Sequence, residues 1–137
     1  MRQDRKTILY VMKADGTQAR IVTGSLELDG SPFWNSDGKA IIATAIDRGI
    51  PHVYRIFLDG RAPAVFVSEY SLNPAAAPDG SLVVYSGPDI GTTFSVKAVT
   101  SDAAPHPLPP LRLTRGARHV AFLPEDRPFC ATRRNST

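Results

Sequence analysis

The feature that most restricts the fold of this 137-residue chain is an internal repeat of 42 to 44 residues. Four Asp-Gly pairs lie at intervals of 22, 22 and 20 residues, so alternate pairs are 44 and 42 residues apart. Asp-Gly is typical of a tight turn, because glycine accepts a positive φ and the aspartate can bond to its own backbone. We therefore interpret these residues as structural turns: Asp15, Gly16, Asp37, Gly38, Asp59, Gly60, Asp79 and Gly80.

The residues around the turns repeat as well. Segment 31–44 aligns with 73–86 and, in a degraded form whose turn lacks the glycine, with 117–132. Each segment is a pair of apolar, β-branched and aromatic runs joined by a turn, which predicts a β-hairpin. A second hairpin segment recurs in the same way, at 8–16, 52–60 and, more loosely, 94–102.

This pattern predicts short strands and no helix, since no segment of ten or more residues keeps a helical period without an interrupting Pro or Gly. Four short strands in a period of this length are typical of a β-propeller blade. One such sheet cannot cover its own apolar faces, so neighbouring sheets pack face to face around an axis. The proline-rich run 105–110 is expected to distort or replace an outer strand. The predicted strands are Ile8–Lys13, Ala19–Val22, Pro32–Trp34, Ala40–Ala45, Val53–Leu58, Ala64–Val67, Ala75–Ala77, Leu82–Ser86, Phe94–Val99, Pro110–Leu113, His119–Phe122 and Phe129–Thr132.

The predicted fold class is all-β, with two complete four-stranded blades and two half blades. The repeat region covers 8–132, between tails at 1–7 and 133–137. Three blades' worth of strands is fewer than the ~4–8 blades of natural propellers. We therefore expect an incomplete propeller that belongs to a longer one, or a chain that forms an oligomeric ring. The segments are an outer half blade at 8–23, blades at 31–67 and 73–113, and an inner half blade at 117–132.

The repeat resembles the WD40-like β-propeller repeat of the TolB family. That repeat reads Ile-Tyr-Val-Met-Asn-Ala-Asp-Gly, then Arg-Leu-Thr, then Pro-x-Trp-Ser-Pro-Asp-Gly-Lys, and residues 9–16, 20–23 and 32–43 are similar to it. The copy at 74–85 keeps the Pro-Asp-Gly turn, and the copy at 117–132 departs from it. The resemblance implies a scaffolding role, a partner in the periplasmic Tol–Pal envelope system, and six blades in the whole TolB propeller.

Charge and hydropathy narrow the classes of partner. The net charge of +3 arises entirely in residues 101–137, where six arginines are spread out. A nucleic-acid binder would show a denser basic stripe with interleaved aromatics. Apolar stretches such as Ala40–Ile46 are far shorter than the ~18–20 residues that span a bilayer. We expect no nucleic acid and no membrane insertion. The expected partner is another protein, or a second copy that completes a six-bladed dimeric ring.

Localisation stays open at this point. The apolar run Ile8–Met12 is too short for the core of a signal peptide, so the sequence as written favours the cytoplasm. An export signal that had been removed would place the chain in the periplasm instead.

The residue pattern favours a protein without catalytic chemistry. Cys130 is the only cysteine, which excludes a disulfide framework, and a buried inert thiol is expected. The chain has no Gly-x-Ser-x-Gly elbow and no EF-hand spacing, so we expect no enzyme activity, no cofactor and no metal. The blade register places the candidate binding residues on one loop face: Asp29, Asp47, His52, Glu69, Asp89 and His119.

The sequence thus favours a non-catalytic TolB-like propeller module that acts as a protein–protein interaction scaffold. Two alternatives stay open. One is a fragment of the propeller of a prolyl-oligopeptidase-like peptidase or of a propeller lyase. The other is a carbohydrate- or ligand-binding propeller. Trp34 is expected to pack between blades, and its exposure as a recognition residue would favour the second alternative.

Overall fold

The computed structural model describes residues 7–90, 93–108, 117–122 and 130–133. Within them the chain forms twelve strands in four antiparallel sheets. None of the described residues forms a helix that could cross a membrane. The strands are β1 (Tyr10–Val11), β2 (Arg20–Ile21), β3 (Glu27–Trp34), β4 (Ala40–Asp47), β5 (Ile50–Phe57), β6 (Ala64–Val67), β7 (Leu72–Ala76), β8 (Leu82–Ile90), β9 (Thr93–Thr100), β10 (Pro105–His106), β11 (Ala117–Ala121) and β12 (Cys130–Arg133).

Two of the sheets are complete blades and two are half blades. Strands β3-β4-β5-β6 form the first four-stranded sheet, here blade 1, and β7-β8-β9-β10 form the second, blade 2. Strands β1 and β2 pair with each other as the first half blade, and β11 and β12 pair as the last half blade. This arrangement confirms the predicted all-β fold of two complete blades and two half blades.

The described outer strand of blade 2 is β10, which lies in the proline-rich run. There Pro105 and His106 pair with Val99 and Ala98. The strand predicted at Pro110–Leu113 falls outside the described residues. A proline has no backbone N–H to donate to a neighbouring strand, which suits the edge of a sheet and keeps this pairing short.

The core lies between the sheets, because β4 is buried on both of its faces. Successive side chains of a strand point to opposite faces. Ile41 and Ala43 pack toward the first half blade, whereas Ile42 packs toward blade 2. Complete burial of one isoleucine side chain stabilises the fold by about 1.5–3 kcal/mol. Each sheet therefore depends on its neighbours for a large part of its stability.

Arginine side chains cross both junctions that precede a complete blade. Arg20 of the first half blade donates from Nη2 to the backbone oxygen of Leu58 in blade 1, at 2.7 Å. Arg55 of blade 1 donates from Nη2 to the backbone oxygen of Ser101 in blade 2, at 2.5 Å. Its Cζ also lies 4.8 Å from the ring centre of Phe66. Leu58 and Ser101 follow the equivalent residues Phe57 and Thr100, so the two accepting oxygens hold the same position in their blades, although the arginines come from different strands, β2 and β5.

The inner turns of the two blades touch each other. Gly80 in the β7–β8 turn has a φ of 72°, and a Cβ added there would overlap the Cβ of Ser36 in the β3–β4 turn. Gly38 holds the same position in blade 1 with a φ of 67°, but an added Cβ would meet nothing within 4 Å. The two glycines therefore differ in the contact between blades and not in backbone conformation.

We expect Gly80→Ala to destabilise the chain more than Gly38→Ala does. Both variants place a side chain at positive φ, which costs about 1–2 kcal/mol. Only Gly80→Ala also forces two backbone turns apart, which adds about 1–3 kcal/mol of overpacking. Urea unfolding of both variants measures the difference. Equal losses of stability would contradict the close approach of the blades.

Candidate functional site

Two of the predicted loop-face residues meet at residues 68–71, the link between blade 1 and blade 2. The Nδ1 atom of His52 on β5 lies 3.0 Å from the backbone oxygen of Glu69 in the link. The buried hydroxyl of Ser71 donates to the same oxygen at 3.1 Å and accepts the backbone N–H of Val53 at 2.9 Å. These bonds hold the link against the third strand of blade 1.

The side chain of Glu69 reaches the other way, to blade 2. The Tyr85 hydroxyl donates to its Oε1 atom at 2.6 Å. The Nζ atom of Lys97 lies 2.9 Å from Oε1 and 2.7 Å from Oε2. Tyr85 and Lys97 are directly opposite each other on β8 and β9. One residue of the link thus connects both blades, through its backbone on one side and its carboxylate on the other.

The surroundings of Glu69 fix the protonation states of this cluster. Burial raises the pKa of Glu69, but the hydrogen bonds from Lys97 and Tyr85 outweigh it, so the pKa of the carboxyl lies below its ordinary value. Burial, and secondly the bond to Glu69, raise the pKa of the Tyr85 hydroxyl. The carboxylate is ionised near neutral pH, and three hydrogen bonds already occupy its oxygens. This arrangement suits a structural contact between the two blades better than a site of proton transfer.

Two exposed apolar side chains lie next to the cluster of Glu69, Tyr85 and Lys97. Ile50 is 49% exposed and Tyr70 is 41% exposed. The backbone N–H of Ser71 donates to the oxygen of Pro51 at 3.1 Å, which brings the chain next to Tyr70 against the chain next to Ile50. The resulting surface combines two apolar side chains with an ion pair. We call the following five residues the rim patch: Ile50, His52, Glu69, Tyr70 and Lys97.

The remaining predicted loop-face residues lie elsewhere in the strands. Asp29 is an exposed residue within β3, and Asp47 ends β4 beside Arg48, with 3.5 Å between the charged groups. Asp89 and His119 lie in β8 and β11, and their side chains fall outside the described part of the structure. Among the side chains that are described, no group of three His, Cys, Asp or Glu residues could hold a metal ion.

The aspartates of the four Asp-Gly turns have a different, local use. Each accepts a hydrogen bond from the backbone N–H two residues further along, as an Asx-turn requires. These bonds lower the pKa of each carboxyl; a neighbouring hydroxyl contributes most in two turns and the backbone N–H in the other two. The pairs are Asp15 with Thr17 (2.9 Å), Asp37 with Lys39 (2.8 Å), Asp59 with Arg61 (3.1 Å) and Asp79 with Ser81 (2.9 Å).

The partners of Glu69, Tyr85 and Lys97, were not among the residues predicted from the sequence. Lys97 is the only charged residue in the apolar run 94–99, and a charge inside a strand of this kind needs a partner. The sequence therefore indicates that Lys97 has a partner. It does not identify the partner as Glu69, because that residue lies 28 residues earlier in the chain. Tyr70 and Ile50 carried no such signal, since isolated apolar residues in loops are common.

Comparison with known proteins supports the fold. No family model matches the chain, and no curated protein matches it. Among solved structures, the crystal structure of TolB from Acinetobacter baumannii aligns with 89% of the chain at a TM-score of 0.67 and 22% sequence identity. The chain spans 31% of the length of that TolB chain. The described fold is therefore that of a TolB-like β-propeller fragment.

We expect Glu69→Gln to destabilise the chain at pH 7 by up to about 1 kcal/mol, because solvent partly screens the ion pair. The pKa of Glu69 is lower in the folded chain than in the unfolded one. Its stabilisation is therefore complete above the unfolded value near 4.5 and is lost as the pH falls through the folded value. Urea unfolding at a series of pH values measures this effect.

The matched control is Asp47→Asn, which removes an exposed carboxylate at the end of β4, outside the Glu69 cluster, and should leave stability nearly unchanged. The difference between Glu69→Gln and the wild type should vanish at a pH well below 4.5. A difference that persists there would show that Glu69 acts through packing and not through its charge.

Proposed function

We propose that this chain is a non-catalytic β-propeller module that binds another protein through the rim patch. The specific form of the proposal is a role in the Tol–Pal envelope system, with the soluble part of Pal as the binding partner. The TolB-like fold supports a propeller module, and the resemblance of the repeat to the TolB family supports the choice of partner.

The observation that carries the proposal is the exposure of Tyr70 and Ile50 on a rigid frame. Protein interfaces typically surround a few aromatic and apolar anchors with polar groups. The backbone beneath Tyr70 is held by Ser71, which bonds to Pro51 and Val53. An anchor held in this way loses little conformational freedom on binding, which favours affinity.

The polar part of the patch fits the same role. The side chains of Glu69 and Lys97 are 36% and 40% exposed, so their ion pair lies at the surface and can take part in a polar rim. Pairing holds both charges in a fixed geometry before a partner arrives. This gives directional contacts around the apolar anchors, which contribute to specificity more than to affinity.

We expect purified soluble Pal to bind the chain and Tyr70→Ser to weaken that binding at least about tenfold, as for an aromatic anchor at an interface. Titration calorimetry measures both affinities. Val65→Ser is the matched control, because Val65 is also an exposed apolar residue of blade 1, at 51% exposure, but lies outside the rim patch. Its affinity should equal that of the wild type.

Two results would count against the proposal. No measurable binding of Pal by a folded sample removes the Tol–Pal role. Equal losses in Tyr70→Ser and Val65→Ser, or none in either variant, remove the rim patch as the binding surface.

A further inference from the structure

The methylene chain of Lys97 lies against Gly87 of the neighbouring strand, β8. A Cβ added at Gly87 would lie 3.2 Å from Cδ and 3.5 Å from Cε of Lys97. It would also lie 2.9 Å from Oγ of Ser95, closer than real Cβ atoms approach other atoms. Beyond these methylene groups, Nζ of Lys97 reaches both carboxylate oxygens of Glu69. The space beside Gly87 is therefore part of the route by which Lys97 reaches the link.

The backbone conformation does not explain the glycine at this position. Seven of the eight described glycines have a positive φ, and Gly87 is the exception. The repeat aligns Gly87 with Ala45 of blade 1, 42 residues earlier, and the strand register aligns Lys97 with Tyr54. Ala45 is fully buried in the same apolar cluster as Tyr54. The strand accepts a methyl group here in blade 1, so the glycine of blade 2 needs another explanation, which is space for Lys97.

The packing of the methylene chain favours the ion pair. A lysine side chain loses much rotamer freedom when its ammonium group is held in one place, and this loss offsets most of the gain from an exposed ion pair. Lysine side chains bury their methylene groups against the protein surface while the charged end stays in water. The side chain of Lys97 is 40% exposed, in agreement with this arrangement. Contact with Gly87 restricts the chain before the ammonium group binds Glu69, which lowers the entropic cost of the pair.

We propose that Gly87 is a positioning residue of the rim patch, which lets Lys97 pass beside β8 and hold its ammonium group on Glu69. The importance of this residue for binding rests on the proposed function, which it deepens by naming a residue outside the patch that sets its charge arrangement. A side chain at position 87 displaces Lys97 and separates the ammonium group from the carboxylate. A partner then meets the same apolar anchors, Ile50 and Tyr70, beside an altered polar rim.

The test is the variant Gly87→Ala, with the pKa of Glu69 in the folded chain as the measurement. The bonds from Lys97 lower this pKa, so their loss should raise it toward its ordinary value near 4.5. Carbon NMR of a chain labelled at its glutamates measures the titration. The chain has three glutamates, and Glu69→Gln identifies the signal. A loss of stability alone would not move the pKa of a group in the folded chain.

A double-mutant cycle shows whether Gly87 acts through Lys97. The variant Lys97→Met keeps a long side chain and removes the ammonium group. Gly87→Ala added to Lys97→Met should leave the pKa of Glu69 at the value of Lys97→Met alone, because the bonds from Lys97 are already absent.

The matched control is Ser95→Ala, which removes the other atom that an added Cβ would meet. The Ser95 hydroxyl donates to the backbone oxygen of Pro88 and not to Glu69. Ser95→Ala should therefore leave the pKa of Glu69 at the wild-type value. Gly87→Ala should still raise that pKa on the Ser95→Ala background.

Titration calorimetry with purified soluble Pal measures the consequence for binding. We expect Gly87→Ala to lower the affinity by up to about fivefold, the effect of one exposed ion pair. This loss should be smaller than that of Tyr70→Ser, because the apolar anchors stay in place.

Two results would overturn the positioning role. One is an unchanged pKa of Glu69 in folded Gly87→Ala. The other is a rise of the same size when Lys97→Met is already present, which would show that Gly87 acts on Glu69 by another route. A raised pKa together with no binding of Pal by the wild-type chain supports the positioning role and counts against the proposed function alone. Full affinity of Gly87→Ala for Pal, with the pKa raised, would remove the ion pair from the binding surface.

Discussion

The structure depends on the burial of sheet faces against other sheets. A four-stranded sheet that is apolar on both faces cannot be removed from water by its own folding, so its stability comes from neighbours on either side. Blade 1 illustrates this: Ile42 and Val53 are fully buried toward blade 2, and Ile56 is nearly so toward the first half blade. Blade 1 is therefore covered on its two faces by the sheets that precede and follow it in the chain.

Polar contacts at the junctions add orientation to this burial. Hydrophobic burial is not directional, whereas a hydrogen bond requires a narrow range of distances and angles. The guanidinium groups of Arg20 and Arg55 each reach a backbone oxygen at the same position of the next sheet. Glu69 does similar work at the link, where its carboxylate binds blade 2 and its carbonyl group binds blade 1. These contacts add directional constraints to the packing between neighbouring sheets.

The division between repeated and unrepeated residues explains where a binding surface can arise. The Asp-Gly turns recur because each performs the same local task, and their carboxylates are occupied by the following backbone N–H groups. The link at 68–71 does not recur in this way, and it carries Tyr70 beside the ion pair of Glu69 with Lys97. Propeller folds support many functions because their loops vary on a common frame. The two apolar anchors of the proposed function, Ile50 and Tyr70, therefore lie outside the repeated segments.

The sequence by itself determined the local structure and the number of sheets. Alternating apolar runs specify strands, and the Asp-Gly pairs specify where they turn, because both effects act between residues close in the chain. Other features depended on residues far apart. The partners of Glu69 lie 16 and 28 residues away, and Trp34, which the sequence predicts to pack between blades, is 54% exposed. Only the tertiary structure decided these features, because coverage of a sheet face depends on which sheet lies in front of it.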